Sequence, residues 1–232
     1  MFLNLLEKYV NFIYYIDNIQ IMLIKNKMKN KEQLECELRG PITMSDFSNL
    51  KKKIEDDFGE FVVTKELAIF VRGAHDIRIK INNNGGCFVY KRGLGINDYK
   101  KEIEVNIDSS DILKFIEILS CMGFNKFLYS YVEKYKAKKD NKSFCVKFGS
   151  KIGDFFEIET LLSEDNEIKN ATMEMEEYIK KIGLNLWSNE TYDELLKSSW
   201  KYSKEELLFD EKNNSLNKII SDLMEEIFQE KK

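Results

Sequence analysis

The feature that most constrains this chain is a set of short stretches in which charged and apolar residues alternate. Leu34-Glu35-Cys36-Glu37-Leu38-Arg39 places Glu35, Glu37 and Arg39 on one face of a strand and Leu34, Cys36 and Leu38 on the other, because successive strand side chains point to opposite faces. Phe155-Phe156-Glu157-Ile158-Glu159 repeats the Glu-x-Glu spacing, and Ile77-Arg78-Ile79-Lys80-Ile81 alternates basic residues with isoleucine. Residues 99–105 put Lys100, Glu102 and Glu104 on one face, and Val132-Glu133-Lys134-Tyr135-Lys136 does the same for Lys134 and Lys136. A solvated sheet face would account for any one of these rows. Rows of both signs on several strands suit a barrel with the charged faces inward, carboxylates opposite cations. Such a lumen has the chemistry to hold a polyphosphate beside a divalent metal.

Composition narrows the alternatives. The chain has 232 residues, 43% of them apolar, enough for one packed domain with appendages. A net charge of −4 argues against a general nucleic-acid binder, which would carry a basic excess. Cys36, Cys87, Cys121 and Cys145 form no C-x-x-C pair, and His75 is the only histidine. That argues against zinc and for reduced thiols in a cytoplasmic protein. The single proline and the abundant Lys, Asn and Ile read as the bias of an AT-rich genome. Residues 1–30 are apolar, but Asn11, Asp17, Asn18 and Gln20 interrupt them, so no stable membrane span is expected. There is also no basic start or small-residue cleavage site. This extension reads as a start-site artefact or an amphipathic helix.

The rest of the chain reads as an α+β domain. After the first strand, Gly40-Pro41 breaks the pattern and Thr43-Met44-Ser45-Asp46 opens a helix with Phe47, Leu50, Ile54 and Phe58 at helical spacing. Gly59 follows as a stop. Strands are predicted over residues 60–72, 76–82, 87–92 and 98–107, with a turn at Gly73-Ala74, a hairpin signal at Asn82-Asn83-Asn84-Gly85-Gly86 and a loop over 93–97. Ser109-Ser110-Asp111 begins a second helix with a stripe of Ile112, Phe115, Ile116 and Leu119, ended by Gly123. Strands over 124–138, 142–148 and 153–162 bring the count to eight. From Ser163 the chain turns helical, closing on an amphipathic helix with Leu216, Ile219, Ile220, Leu223, Ile227 and Phe228. The predicted architecture is an eight-stranded antiparallel tunnel barrel with a charged lumen and helices packed outside. The predicted divisions are 1–30, a domain over 31–200 and a helical extension over 201–232.

Several of these stretches resemble one family. Glu35-Cys36-Glu37-Leu38-Arg39 is similar to the Glu-x-Glu-x-Lys signature that opens the CYTH domain, also called the triphosphate tunnel metalloenzyme fold. Asp76–Lys80 resembles its Leu-Arg-Ile-Arg strand, and Val89-Tyr90-Lys91 its Thr-Tyr-Lys strand. Lys100, Glu102 and Glu104 fit Arg-x-Glu-x-Glu, and Val132, Lys134 and Lys136 fit Val-x-Lys-x-Arg. Gly153-Asp154-Phe155-Phe156-Glu157-Ile158-Glu159 is similar to Leu-Gly-x-Phe-x-Glu-Ile-Glu. Thr191-Tyr192-Asp193-Glu194-Leu195-Leu196 looks like the tail of the class IV adenylate cyclase branch. No single motif is specific, but the six strand motifs in the right order, with helices in the right gaps, are hard to obtain by chance.

The resemblance implies a divalent cation, Mg²⁺ or Mn²⁺, at Glu35, Glu37, Glu157 and Glu159, since hard cations take carboxylate oxygens. It implies triphosphate contacts from Arg39, Arg78, Lys80, Lys91, Lys100, Lys134 and Lys136, with Glu35, Glu37 and Lys134 in the catalytic set. Arg39 departs from the usual lysine, and lysines replace arginines at 80, 100 and 136. Lys147 falls where the family has a metal-binding aspartate, which weakens the case for catalysis more than for binding. A lysine beside Glu157 and Glu159 competes with a cation and leaves one ion at Glu35, Glu37 and Glu159. Three functions follow: a metal-dependent hydrolase acting on inorganic, thiamine or nucleoside triphosphate; a binding module for polyphosphate or nucleotide; or cyclisation of ATP. The partner expected is a triphosphate-bearing small molecule rather than nucleic acid, with a homodimer left open. Lys51–Lys53 read as a solvated helix face, His75 as a loop residue, Arg92 as outside the tunnel, and Phe124, Phe127, Tyr129 and Tyr131 as exterior packing.

Overall fold

A computed structural model describes residues 34–71, 76–92, 99–202, 207–208 and 215–229. The extension over 1–30, the Gly73-Ala74 turn, His75 and the 93–97 loop lie outside the described residues. Among the described residues the strands are β1 (Leu34–Pro41), β2 (Val62–Val71), β3 (Asp76–Asn82), β4 (Gly85–Arg92), β5 (Tyr99–Ile107), β6 (Lys126–Lys139), β7 (Lys142–Phe148), β8 (Phe155–Leu162) and the short β9 (Leu207–Leu208). The helices are α1 (Met44–Phe58), α2 (Ile112–Cys121), α3 (Ile168–Ile182), α4 (Asn189–Tyr202) and α5 (Ser215–Gln229).

The first eight strands are antiparallel in the order β2-β3-β4-β5-β1-β8-β7-β6, and β2 pairs back onto β6. The hydrogen-bonded ladder therefore returns on itself, which leaves no open edge among these eight. The β1–β5 seam is brief: it pairs Leu34, Glu35 and Cys36 with Lys101, Lys100 and Tyr99. The β3–β4 turn is the two-residue loop Asn83-Asn84, since Asn82 pairs with Gly85.

The barrel is inside-out in polarity. Its apolar rows point outward and are covered by helices. On one side Leu67, Ile69, Ile79 and Ile81 are fully buried against Ile112, Ile116 and Leu119 of α2 and Ile220 and Ile227 of α5. Phe127 is buried in the same cluster, and Phe124, Tyr129 and Tyr131 pack against that cluster. On the other side Cys36, Leu38, Phe144, Val146, Phe156 and Ile158 pack under Phe47, Ile54 and Phe58 of α1 and Ala171, Met175, Ile179 and Ile182 of α3. The buried positions on each of these helices recur at steps of three, four or seven residues, as a single buried face requires.

Helix α1 starts where the sequence predicts. Thr43 and Asp46 form a reciprocal capping box, with the Asp46 amide donating to Thr43 Oγ1 at 3.1 Å and the Thr43 amide to Asp46 Oδ2 at 3.1 Å. Gly59, at φ 92°, ends it.

Two predictions change. β1 does not stop at Gly40 but runs through Pro41, which pairs with Phe155. Beyond Cys36 the described ladder of β1 continues on β8 alone, so the missing proline N–H interrupts no second ladder there. The segment after Ser163 is also not continuously helical. Gly183, in the left-handed region at φ 82°, terminates α3, and β9 adds to β6 between α4 and α5. No helix among the described residues is long and apolar enough to cross a membrane.

Candidate metal and phosphate site

Strand register assembles the lumen. Directly opposed residues in an antiparallel pair share a face. On β1 and β8, Glu37 stands opposite Glu159 and Arg39 opposite Glu157. On β7, Ser143 stands opposite Glu159 and Cys145 opposite Glu157. β6 then places Lys136 opposite Cys145 and Lys134 opposite Lys147. The charged rows thus meet inside the ring while the alternate residues build the two outer cores.

Three carboxylates converge. One oxygen each from Glu35, Glu37 and Glu159 lie within 4.8 Å of one another, about the span of a cation's first oxygen shell. Glu37 is 1% exposed. Its Oε1 has no hydrogen-bond partner; its close contact with Arg39 Nε lacks hydrogen-bond geometry. The Arg39 charge offsets that buried oxygen without hydrogen-bonding it, and three converging carboxylate oxygens are a donor set that fits a divalent ion.

Cations surround the trio. Lys91 Nζ lies 3.3 Å from Glu35 Oε2 and 3.8 Å from Glu37 Oε2. Lys136 Nζ donates to Glu159 Oε2 at 2.8 Å, and Ser143 Oγ donates to the same oxygen at 2.6 Å. Burial raises the Glu159 carboxyl, but Lys136 and these hydrogen bonds hold it below its ordinary range. Burial likewise opposes the charge on Lys136, and Glu159 more than restores it.

Glu157 sits apart from the trio. Its Oε2 lies 2.7 Å from Lys147 Nζ and its Oε1 2.8 Å from Arg39 Nε. Burial pushes its carboxyl up, yet Lys147 and Arg39 hold it well below the usual carboxylate range. Lys147 is raised in turn: burial disfavours its charge and Glu157 overrides that. Arg39 also donates to the Tyr192 hydroxyl at 2.7 Å and lies over the Phe155 and Tyr192 rings.

Lys134 has a dedicated partner, Glu66 on β2, at 2.7 Å. Burial raises Glu66, but Lys134 and Lys147 bring it down to about 2. Lys80 pairs with Glu104 at 3.3 Å, and Arg78 lies 5.0 Å over the Phe70 ring. Both are half-buried. The side chains of Lys100 and Glu102 lie outside the described residues; in the register they stand opposite Glu35 and Lys91. Cys145 is buried in the lumen wall, and burial pushes its thiol up to about 12, so it is a neutral lining group rather than a nucleophile.

No family model and no curated protein matches the sequence. Solved structures do. The PH1819 protein of Pyrococcus horikoshii OT3 is 28% identical, with a TM-score of 0.56, over 71% of this chain and 98% of its own. The PH1012 protein of the same organism is 21% identical, with a TM-score of 0.52, over 65% and 91%. A candidate adenylate cyclase from Vibrio parahaemolyticus is 15% identical, with a TM-score of 0.52, over 71% and 98%. The chain has the CYTH-like triphosphate tunnel fold.

Within that tunnel, motif reading missed three lumen groups. Glu66 sits in the irregular run Thr64-Lys65-Glu66, where two charges of opposite sign adjoin and hide the alternation. Ser143 was legible by parity, two residues before Cys145 and four before Lys147, but a hydroxyl gives no charge signal. Tyr192 reaches Arg39 from α4, a contact 153 residues apart in sequence that local pattern cannot reveal.

Proposed function

We propose that this chain is a divalent-metal-dependent phosphohydrolase acting on a triphosphate-bearing substrate. The observation that carries the reading is the convergence of Glu35, Glu37 and Glu159 beside a wall of lysines inside a closed barrel. A divalent ion held by those carboxylates would supply charge to phosphate oxygens as a Lewis acid. The chain's own cations do the rest. Lys91 and Lys136 flank the trio and can swing from carboxylate to phosphate at little electrostatic cost, because each exchanges one anion for another. Lys134, held by Glu66, is positioned as a point charge for a phosphoryl group in transfer. The Glu35 or Glu37 carboxylate would orient the attacking water. Arg39, enclosed by Glu37, Glu157, Phe155 and Tyr192, is assigned to holding the lumen's shape and to a phosphate contact only through its remaining donors.

One observation favours a second reading, a binding module without turnover. Every cation described around the trio and at Glu157 already has a carboxylate partner, so the lumen is electrically balanced without chemistry. Release of phosphate, pyrophosphate or cyclic nucleotide from inorganic triphosphate, thiamine triphosphate and nucleoside triphosphates, with Mg²⁺ or Mn²⁺, tests both. Phosphate release supports the hydrolase. Tight binding with no product supports the module, and cyclic nucleotide would assign ATP cyclisation.

A further inference from the structure

We propose that the tunnel takes a single divalent cation, at Glu35, Glu37 and Glu159, and that Lys147 seated on Glu157 serves as its fixed second cation. The proposal rests on the metal-dependent reading of the lumen and specifies its stoichiometry. Glu157 and Glu159 share a strand and a face, so sequence offers both to a metal. The structure separates them. Both oxygens of Glu157 are engaged, Oε2 by Lys147 at 2.7 Å and Oε1 by Arg39 at 2.8 Å, and its side chain is 4% exposed. To become a ligand it would have to give up its ion pair with the enclosed Lys147 and weaken its contact with Arg39, which keeps Glu37 as a second partner, and breaking a buried pair is strongly unfavourable. The Glu35, Glu37 and Glu159 oxygens, by contrast, already converge within 4.8 Å, and Glu37 Oε1, buried in an ion pair with Arg39 Nε, makes no hydrogen bond.

Lys147 is fixed from several sides. Its ammonium lies 5.3 Å from the centre of the Phe155 ring as well as against Glu157, and β7 register sets it opposite Lys134 and Phe155. An ammonium has three donors and Glu157 takes one, so a phosphate chain lying against the trio would meet a divalent ion on one side and an immobile ammonium on the other. An ammonium supplies that second charge without a metal's geometric demands.

Titration with Mn²⁺ alone, followed by the loss of free-ion electron paramagnetic resonance signal, tests this. The wild-type chain should bind one Mn²⁺. Glu157→Gln should keep that ion within threefold in affinity, whereas Glu37→Gln and Glu159→Gln should weaken it at least tenfold. Lys147→Gln should bind Mn²⁺ at least threefold more tightly or take up a second ion, since it removes a neighbouring positive charge and releases Glu157. Because Glu157→Gln strands Lys147, the charge-balanced Glu157→Gln/Lys147→Met double variant is measured beside it, each with a thermal melt to verify folding. Two ions in the wild type, tenfold loss in the folded Glu157 variants, or unchanged affinity in Lys147→Gln would overturn the proposal. No Mn²⁺ bound by the wild type would instead overturn the metal-dependent reading beneath it.

Discussion

Glu37 is the residue on which the lumen's chemistry turns. A buried carboxylate oxygen without a hydrogen bond costs up to about 1–3 kcal/mol; the Arg39 ion pair offsets part of that at Glu37, and a bound cation would offset more. Mn²⁺ at about 100 times its dissociation constant should stabilise the fold by about 2.7 kcal/mol, a shift of roughly 5–10 °C in melting temperature for a chain of this size. Differential scanning calorimetry should show that shift in the wild type and lose most of it in Glu37→Gln.

The Glu66–Lys134 pair makes a prediction about pH. Glu66 is held at about 2 in the fold, against roughly 4.3 unfolded. In that window the unfolded chain binds more protons, so stability is fully present above about pH 5 and falls as the pH drops toward 2. Glu157 and Glu159 are depressed too and act in the same direction. Lys134, Lys136 and Lys147 are raised, so their contribution is present below about pH 10 and lost only above it. A pH series of melting temperatures should show a plateau between these limits. Glu66→Gln should lower the stability on that plateau by about 3 kcal/mol, the low end for a broken buried pair, because Lys134 keeps 20% exposure. It should also flatten the acid limb.

At the scale of elements, much was legible because a strand's period of two fixes which face a residue takes. Parity placed Glu35 with Glu37, Lys134 with Lys136 and Glu157 with Glu159 on one face of each strand, the family resemblance set Lys147 beside them, and the Thr43–Asp46 box and Gly59 placed α1, whereas Ser109–Asp111 forms a 3-10 turn capped by Asp108 before α2 begins at Ile112. What parity cannot supply is the partner across the ring. Nothing local says that Glu157 turns to Lys147 and Arg39 while Glu159, two residues on, turns to Lys136 and Ser143. The end of β1 was hidden for a related reason: Pro41 reads as a breaker until it is known that β8 alone flanks that stretch in the described ladder. Gly40 exposes the packing there. A Cβ at this position would lie 1.9 Å from the Asn185 carbonyl oxygen and 2.8 Å from the Phe156 ring, because the segment after α3 crosses directly over β1. Its neighbour Trp187 donates its amide to the Arg39 carbonyl at 3.0 Å. Gly40→Ala should therefore cost about 1–3 kcal/mol or more in urea unfolding, and should weaken Mn²⁺ binding only as far as it unfolds the chain.

For the whole molecule, the reversal of polarity links fold to function. Helices outside the barrel supply the apolar burial that a charged lumen cannot, so charges are free to line the inside as long as each finds a counter-charge. A ligand that brings both signs at once, a metal and a triphosphate, can replace those internal pairs without leaving a charge stranded. Neither component alone can do so as well, which predicts that tripolyphosphate binds more tightly with Mn²⁺ present than without it, by isothermal titration calorimetry. The most direct test of the central claim is phosphate release from a panel of triphosphates by the wild type, Glu37→Gln and Glu159→Gln, with and without Mn²⁺. The account predicts release for at least one substrate that depends on the metal and falls at least a hundredfold in both variants. Release that persists without metal, or survives in folded Glu37→Gln and Glu159→Gln at wild-type rate, would contradict it.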